Sequence, residues 1–377
     1  MNAYLTGVGV TPFGRLPGPD SLGWQQRAAR LALADAGVAS YEVDAVIAGY
    51  STVAGHLMPA NAFAESFGIQ PQVAFGMSVG GATGLAMVAN ACAWVAAGRV
   101  RHVLVVAGEN RASGQSRETS TATLAQVGHP AYEVPLGGTV PAYYALLASR
   151  YLFTHGLKPA DLAPLAVLMR EHARHAEGAQ FRDPITEEDV LSSRPVCDPL
   201  RLLDCCPVSD GGAAVVVSAE ARDRCVEIAG TGQANLHQHL SELDFDDTGA
   251  GLAARRALAE AGTELGEVDV FGIYDSFTVT VALILEELGL AAPGKAGTEA
   301  RAGRFGPDGK HPLNTHGGLL SYGHCGVGGG MAHLGEVVTQ LRGERGALQV
   351  PGCRTGYVHG DGGVFSAHVG MVLRGHR

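Results

Sequence analysis

The chain has 377 residues, a length that predicts two or three domain-sized units. Hydrophobic residues make up 46% and charged residues 17%, which is typical of a globular protein with a large core. The formal charge is −10 and no basic stripe is visible, which argues against a nucleic acid as the main partner. No apolar run of about 18 residues and no signal-peptide pattern occur, so we expect no transmembrane helix and a cytoplasmic location.

Cysteine and lysine usage narrows the chemistry further. The seven cysteines include no CxxC pair, which favours reduced thiols and makes a structural zinc site in this chain unexpected. A Schiff-base lysine needs a desolvated pocket. The three lysines, Lys158, Lys295 and Lys310, lie beside Pro, Gly or His in loop-like sequence, and none of these settings indicates such a pocket.

An internal repeat is the strongest signal for the fold. Residues 32–44 read ALADAGVASYEVD, and residues 257–269 read ALAEAGTELGEVD, with eight of thirteen positions identical. Each copy predicts an amphipathic helix that ends at a glycine C-cap, Gly37 or Gly262, and is followed by an apolar strand. A glycine-punctuated strand precedes each helix, as YLTGVGV and as VEIAGTGQA. The repeat therefore predicts two similar halves packed together.

Strands that alternate with helices predict parallel sheets covered by helices on both faces. The first half covers residues 1–110 and is completed by residues 195–220, which include a buried strand at 213–218. Residues 111–194 are helical in period and rich in aromatic residues, which predicts an inserted loop domain with its own helices. Residues 221–377 form the second half.

Several segments in this order resemble the thiolase superfamily, in its branch of sterol-carrier and lipid-transfer-like proteins. They read MSVGGATG (77–84), SRYLFTHGLKPADLA (149–163), YDSFTVTVALILEELGL (274–290) and NTHGGLLSYGHCGVGGG (314–330). The resemblance implies an α/β thiolase fold with two βαβ-type halves in a five-layer αβαβα core. It also implies a homodimer and coenzyme A thioester substrates.

The chain departs from the thiolase pattern where the chemistry lies. Gly81 stands where a thiolase has its nucleophilic cysteine, and Tyr274-Asp275-Ser276-Phe277 replaces His-Asp-Cys-Phe. The C-terminal turn at residues 355–363 reads TGYVHGDGG, without the family's cysteine. Three cysteine positions are therefore empty at once, which makes acyl transfer through an enzyme thioester improbable.

The groups that hold a thioester enolate in thiolases are retained as Asn314 and His324. The same enolate arises when a β-hydroxyacyl-CoA undergoes retro-aldol cleavage, which needs a base, an oxyanion site and an acid but no acyl-enzyme. We expect the catalytic residues to be Tyr274, Tyr322, His324 and Tyr357. We expect the residues that bind the substrate or its oxyanion to be Asn314, Gly81, Asp275 and Gly363. A tyrosine base needs a lowered pKa or a proton relay. The alternative for each tyrosine is a core ring with a satisfied hydroxyl.

Within the superfamily the chain resembles the lipid-transfer-like aldolases of bacterial steroid side-chain degradation. This implies a steroid β-hydroxyacyl-CoA as substrate, with a ketone and a short acyl-CoA such as propionyl-CoA as products. It implies no cofactor in this chain, and a small zinc-ribbon and OB-type partner protein that carries any zinc. Two alternatives stay open: a non-catalytic acyl-CoA or lipid carrier, and a divergent thiolase or acyltransferase that uses a thiol such as Cys325. Cys325, Cys205 and Cys206 are otherwise expected to be packing residues.

Overall fold

The computed structural model describes residues 2–375, in which strands and helices alternate along most of the chain. The strands are β1 (Tyr4–Val10), β2 (Ala45–Gly49), β3 (Val73–Met77), β4 (His102–Asn110), β5 (Pro195–Cys197), β6 (Leu200–Arg201), β7 (Asp210–Ser218), β8 (Val226–Asn235), β9 (Val270–Gly272), β10 (Thr355–Gly362) and β11 (Ala367–Gly375). The helices are α1 (Ser21–Ala36), α2 (Pro59–Phe67), α3 (Thr83–Ala96), α4 (Arg117–Ala125), α5 (Val140–His155), α6 (Ala163–Ala173), α7 (Glu187–Ser192), α8 (Ala250–Ala261), α9 (Thr278–Glu287), α10 (Ala296–Arg301) and α11 (Val327–Arg342).

The repeat folds as predicted. Helix α1 ends at Gly37 and helix α8 ends at Gly262, and both glycines adopt the left-handed conformation, with φ of 61° and 59°. Only glycine adopts this conformation at little cost, so it terminates each helix. A short 3₁₀ turn then leads into β2 in the first half and into β9 in the second.

Glycines in the strand before each repeat helix allow the helix to approach closely. A Cβ atom on Gly7 would lie 2.1 Å from the carbonyl oxygen of Ala32, and one on Gly230 would lie 2.3 Å from that of Ala257. Real Cβ atoms do not approach so near, so a side chain at either position would push the helix off its sheet. The same packing contact therefore recurs in both halves.

Nine of the eleven strands described for residues 2–375 form one mixed sheet in the order β3-β2-β4-β7-β1-β8-β11-β10-β9, and β5 pairs with β6 in a separate two-stranded sheet. Strand β2 pairs parallel with β3 and β4, and β9 pairs parallel with β10. The other pairs of this sheet are antiparallel, including β7 between β4 and β1. The expectation of parallel sheets is therefore wrong for much of the sheet: β7 returns from the insertion antiparallel to β4 and β1, and the consecutive strands β10 and β11 pair antiparallel in the second half.

Helices α3 and α11 lie between the two halves, since each contacts strands from both. Helices α1 and α2 cover the outer side of the first half, and α8 and α9 cover the outer side of the second. The layers are thus outer helices, first-half strands, α3 with α11, second-half strands and outer helices, as in the predicted five-layer arrangement, and the strands of the two halves join in one sheet at β1 and β8. Within residues 2–375, no helix combines the length and the apolar character that crossing a membrane requires.

Candidate active site

A cavity of about 850 Å³ is lined by residues from the first half, the second half and the segment between β4 and β5. Four of the predicted site residues line it: Gly81, Tyr274, His324 and Gly363. The volume is at the upper end of the range for small-molecule sites, so the cavity has room for more than an acetyl group. Its lining is mixed, with apolar side chains such as Val127 and polar groups that converge near Tyr274.

The hydroxyl of Tyr274 occupies the space that a side chain at position 81 would need. A Cβ atom on Gly81 would lie 2.2 Å from Tyr274 Oη and 2.4 Å from the carbonyl oxygen of Asp361. Both distances are far shorter than any non-bonded contact in a packed protein. A nucleophilic side chain at position 81 is therefore incompatible with this position of Tyr274.

His324 holds the Tyr274 hydroxyl through a hydrogen bond of 2.9 Å between Nε2 and Oη. The backbone N–H of Gly326 donates to His324 Nδ1 at 3.1 Å, so Nδ1 accepts and Nε2 carries the proton of the neutral ring. Burial lowers the pKa of His324 to about 3, which keeps the ring neutral. His324 therefore donates to Tyr274 Oη, and the Tyr274 proton is free to be donated to a ligand.

Burial also raises the pKa of Tyr274 well above its ordinary value, with a further contribution from Asp361. The lowered tyrosine pKa that a tyrosine base requires is not found here. Tyr274 rests as a phenol, and this state suits a proton donor better than a proton acceptor.

Asn314 lies behind the cavity wall, although the sequence suggested an enolate-binding role. Its side chain is fully buried, accepts from the backbone N–H of Ile273 at 2.8 Å and donates to the carbonyl of Ile273 at 2.7 Å. The side-chain amide therefore bonds both backbone groups of Ile273, the residue before Tyr274, in the way that the backbone of a neighbouring β-strand would. In this position Asn314 orients Tyr274 through the backbone.

Asp275 is also turned away from the cavity. Its buried carboxylate accepts from the backbone N–H of Leu319 at 2.6 Å and of Leu320 at 3.4 Å, in the π-helical turn Gly318–Tyr322. A Cβ atom on Gly318 would lie 1.9 Å from this carboxylate, so the turn requires glycine there. Asp275 thus connects the loop that carries Tyr274 to the turn that precedes His324.

The other two predicted tyrosines do not line the cavity. Tyr322 packs edge-on against Phe13, and its hydroxyl donates to the carbonyl of Thr11 at 3.3 Å. Tyr357 is fully buried on β10, and its hydroxyl has no hydrogen-bond partner among residues 2–375. Tyr322 therefore corresponds to the alternative of a core ring with a satisfied hydroxyl, whereas Tyr357 is a core ring whose hydroxyl is unsatisfied within residues 2–375, and we leave both out of the proposed site.

Sequence reasoning missed two residues of the cavity wall, Asp361 and Tyr144. Tyr144, on α5, donates its hydroxyl proton to Asp361 Oδ2 at 2.7 Å. Both side chains are 2% exposed. The available signal was an acidic residue between two glycines, in the sequence VHGDGGVF, whereas nothing in the local sequence connects Tyr144 to this site.

A buried arginine supplies positive charge to the cavity. Arg111 is 7% exposed, and no carboxylate lies within 4.0 Å of its guanidinium in the described part of the chain. Glu109 lies near it, but one carboxylate oxygen of Glu109 accepts from the N–H and the hydroxyl of Thr52, at 2.9 and 2.6 Å. A buried cation without an ion pair favours an anionic group in the ligand or the transition state.

Two glycine turns approach each other at the cavity. A Cβ atom on Gly80 would lie 2.5 Å from the backbone nitrogen of Gly363, and one on Gly362 would lie 2.2 Å from the carbonyl oxygen of Val79. The absence of side chains lets the two backbones meet and leaves Gly81 and Gly363 accessible to a ligand.

Cys205 and Cys206 line the cavity, although the sequence suggested packing residues. Burial raises the pKa of the Cys206 thiol to about 12, so this thiol is neutral and a weak nucleophile at neutral pH. Cys325 is fully buried against Phe13 and Ala332 and does not line the cavity.

Two similar halves around a shared helical layer, with a cavity at a glycine turn that precedes α3, define a thiolase fold. The family model of the thiolase N-terminal domain matches residues 7–221, and the model of the thiolase C-terminal domain-like family matches residues 232–375. The chain therefore belongs to the thiolase family, and the resemblance seen in its sequence is confirmed.

The names of similar proteins include an acetyltransferase, a lyase and an aldolase. The chain is 32% identical to an acetyl-CoA acetyltransferase of Methanothermobacter thermautotrophicus, over 97% of this chain and 98% of that protein. It is 33% identical to the 17-hydroxy-3-oxo-4-pregnene-20-carboxyl-CoA lyase of Mycobacterium tuberculosis, over 90% of this chain and 92% of that protein. The solved structure of an Ltp2–ChsH2(DUF35) aldolase superposes with a TM-score of 0.84 at 29% identity, over 100% of this chain and 98% of that one.

Proposed function

We propose that this protein cleaves a β-hydroxyacyl-CoA with a bulky, steroid-type tail by a retro-aldol reaction. The products are a ketone and a short acyl-CoA such as propionyl-CoA, and no acyl-enzyme forms. The observation that carries the proposal is the Tyr274 hydroxyl, which fills the space of a side chain at position 81 and is held by His324. This arrangement replaces a nucleophile with a fixed proton donor.

The reaction breaks the bond between the α and β carbons of the thioester. The β-hydroxyl loses its proton, its oxygen becomes the ketone oxygen, and the electron pair of the broken bond moves into a thioester enolate. Tyr274 then protonates the α carbon. The neutral His324 ring stabilises the resulting phenolate by donating its Nε2–H, which is the bond already present at 2.9 Å.

The enolate oxygen needs positive electrostatic potential at a fixed place. The backbones of Gly81 and Gly363 and the unpaired Arg111 guanidinium all line the cavity that contains Tyr274. We assign the thioester oxygen to this wall. Asn314 contributes indirectly, since its two bonds to Ile273 fix the backbone next to Tyr274.

The comparisons support the reaction class, because one relative is named a lyase of a steroid carboxyl-CoA and one similar structure is named an aldolase. The ring system and side-chain length of the substrate are our proposal. The cavity volume of about 850 Å³ is compatible with a fused-ring tail.

Acyl transfer is a second candidate, since an acetyl-CoA acetyltransferase is similar over 97% of the chain and two cysteines line the cavity. We rank it below aldol cleavage because burial raises the pKa of Cys206 to about 12. A non-catalytic carrier ranks lower still, because a carrier has no use for a hydrogen-bonded Tyr274–His324 pair next to an unpaired cation.

The test is incubation of the protein with a steroid β-hydroxyacyl-CoA, with chromatographic detection of the ketone and the short acyl-CoA. Tyr274→Phe should lower the cleavage rate by about 100-fold or more while substrate binding is kept. Tyr41→Phe is the matched control, because Tyr41 is 87% exposed and remote from the cavity lining. Intact thioester in every reaction of the wild-type protein, with and without its partner, would contradict the proposal.

We also propose two protein partners. Strand β3 lies at an edge of the sheet with apolar side chains, among them Val73 at 38% exposure, and such an edge favours pairing with a second copy of the chain. The similar Ltp2–ChsH2(DUF35) structure favours an additional small partner, which would hold any zinc. Light scattering of the purified chain, and co-purification with the small protein, test the two parts separately.

A further inference from the structure

The proposed cleavage requires a group that takes the proton of the β-hydroxyl, and Tyr274 is not suited to this step. We infer that Asp361 is this general base and that Tyr144 positions its carboxylate. The assignment rests on the proposed retro-aldol function and adds a catalytic residue to it.

Asp361 lies at the reacting end of the cavity. It is part of β10, lines the cavity, and is followed directly by the glycine turn at Gly362 and Gly363. Its carbonyl oxygen is 2.4 Å from the point where a Cβ atom of Gly81 would lie, and Tyr274 Oη is 2.2 Å from the same point. The Tyr274 hydroxyl and the backbone of Asp361 therefore flank the same point of one wall, and Asp361 belongs to the lining of the same cavity.

The two carboxylate oxygens of Asp361 have different environments. Oδ2 accepts the Tyr144 hydroxyl at 2.7 Å, and Tyr144 itself is fixed by stacking on Phe277, with ring centroids 4.4 Å apart. Oδ1 is buried and has no hydrogen-bond partner among residues 2–375. A buried carboxylate oxygen without a partner is costly, and a substrate hydroxyl would satisfy it.

The groups packed around Asp361 leave its charge uncompensated by any adjacent cation. Tyr144 faces it from α5, Tyr274 faces it from the loop after β9, and His368 is its partner in the β10–β11 ladder. Burial lowers the pKa of His368 to about 4, so this ring is neutral. The cavity also contains His237, Arg111 and Glu109, and none of these forms an ion pair with Asp361 within 4.0 Å in the described part of the chain.

Burial is the largest influence on Asp361 and raises its pKa to about 8, while the Tyr144 hydroxyl and the nearby backbone of Phe365 act in the opposite direction. A base with a pKa near the working pH is the most effective, whereas the pKa of Tyr274 lies well above 10. The structure therefore separates the roles: Asp361 accepts the proton and Tyr274 donates one.

The protons balance over one turnover. The β-hydroxyl proton passes to the Asp361 carboxylate as the carbon–carbon bond breaks, and the Tyr274 proton passes to the α carbon of the enolate. Asp361 is then protonated and Tyr274 is a phenolate. Transfer of one proton from Asp361 to Tyr274, directly or through a product-site water, restores the starting state without an external reactant.

The test measures cleavage of a steroid β-hydroxyacyl-CoA across pH by the wild-type protein, Asp361→Asn, Tyr144→Phe and the exposed control Asp246→Asn. The wild-type kcat/KM should rise with pH to a midpoint near 8, because the active form is the carboxylate. Asp361→Asn should lower kcat/KM by about 100-fold or more with substrate binding intact. Tyr144→Phe should move the midpoint to higher pH, because the carboxylate loses a donated bond.

The results of these assays distinguish a failure of the Asp361 assignment from a failure of the proposed aldolase function. If the wild-type protein cleaves the thioester and Asp361→Asn cleaves it within about threefold of that rate, Asp361 is not the base and the aldolase function stands. An unchanged midpoint in Tyr144→Phe, with activity retained, would leave Tyr144 a merely structural role and overturn its part of the inference. If the wild-type protein cleaves no such thioester, the proposed function fails and the assignment of Asp361 fails with it.

Discussion

Replacement of Gly81 by alanine tests the steric relation on which the proposed site depends. The added methyl carbon would be placed 2.2 Å from Tyr274 Oη, 2.6 Å from Tyr274 Cζ and 2.4 Å from the carbonyl oxygen of Asp361. The tyrosine side chain is confined in a packed wall, and the carbonyl belongs to β10. Neither neighbour can move without breaking the hydrogen bond to His324 or displacing the glycine turn at Gly363.

The expected losses of stability and of cleavage rate follow from how far the Tyr274 hydroxyl has to move. To reach an ordinary contact of about 3.4 Å, the Tyr274 hydroxyl would have to move by roughly 1 Å or more, which is enough to break its 2.9 Å bond to His324. Overpacking of this kind costs about 1–3 kcal/mol of unfolding free energy. A misplacement of about 1 Å at a reacting group lowers the rate on the order of 100-fold.

Urea unfolding and the cleavage assay measure the two effects on the same preparation. Gly266→Ala is the matched control, because a Cβ atom at Gly266 meets no atom within 4 Å and its φ is not left-handed. The control should behave as wild type in both assays. If Gly81→Ala keeps wild-type stability and activity, Tyr274 does not occupy the place of a side chain at position 81, and the reasoning is refuted.

Three further substitutions or measurements test separate parts of the site. Asn314→Ala removes two buried bonds to Ile273 and should cost about 2–4 kcal/mol of unfolding free energy in urea titration, with a fall in kcat; an unchanged stability would contradict the positioning role. Tyr357→Phe removes a buried hydroxyl that lacks a partner within residues 2–375, so stability should be unchanged or higher by up to about 1 kcal/mol and activity unchanged; a large loss of activity would return Tyr357 to the site. Mass spectrometry after incubation with acyl-CoA should show no added acyl mass at neutral pH, because the pKa of Cys206 is raised; an acylated Cys206 would favour the acyltransferase.

The sequence was sufficient for the fold because the fold depends on local and repeated signals. The helix-ending glycines Gly37 and Gly262 and the strand glycines Gly7 and Gly230 mark the same unit twice, and the structure shows the same contacts at both. The direction of β7 could not be predicted this way, because it depends on how the chain returns from the insertion.

The candidate site was only partly predictable, and the reason is side-chain direction. Asn314 and Asp275 are near the right segments in sequence, but their side chains face the backbone of Ile273 and of Leu319. Tyr357 and Asp361 lie four residues apart on the same strand, β10. The sequence alone does not show which of the two reaches the cavity. Contact between Asp361 and Tyr144 spans 217 residues of sequence, a separation at which no local pattern gives a signal.

The absence of a side chain at position 81 and the presence of a tyrosine at position 274 are one feature of the molecule, because both groups require the same space. Tyr274→His introduces the shorter ring found in the His-Asp-Cys-Phe pattern, so Gly81→Ala should be less destabilising in that background than in the wild-type protein. A coupling of about 0.5–3 kcal/mol is expected for residues in direct contact. The carbonyl of Asp361 remains 2.4 Å from the added carbon in either background, so the relief should be incomplete. Strict additivity in urea unfolding, within about 0.5 kcal/mol, would show that the two positions do not compete. Competition would explain why restoring a side chain at position 81 alone cannot restore acyl transfer: the tyrosine that serves as proton donor already occupies the place of the nucleophile.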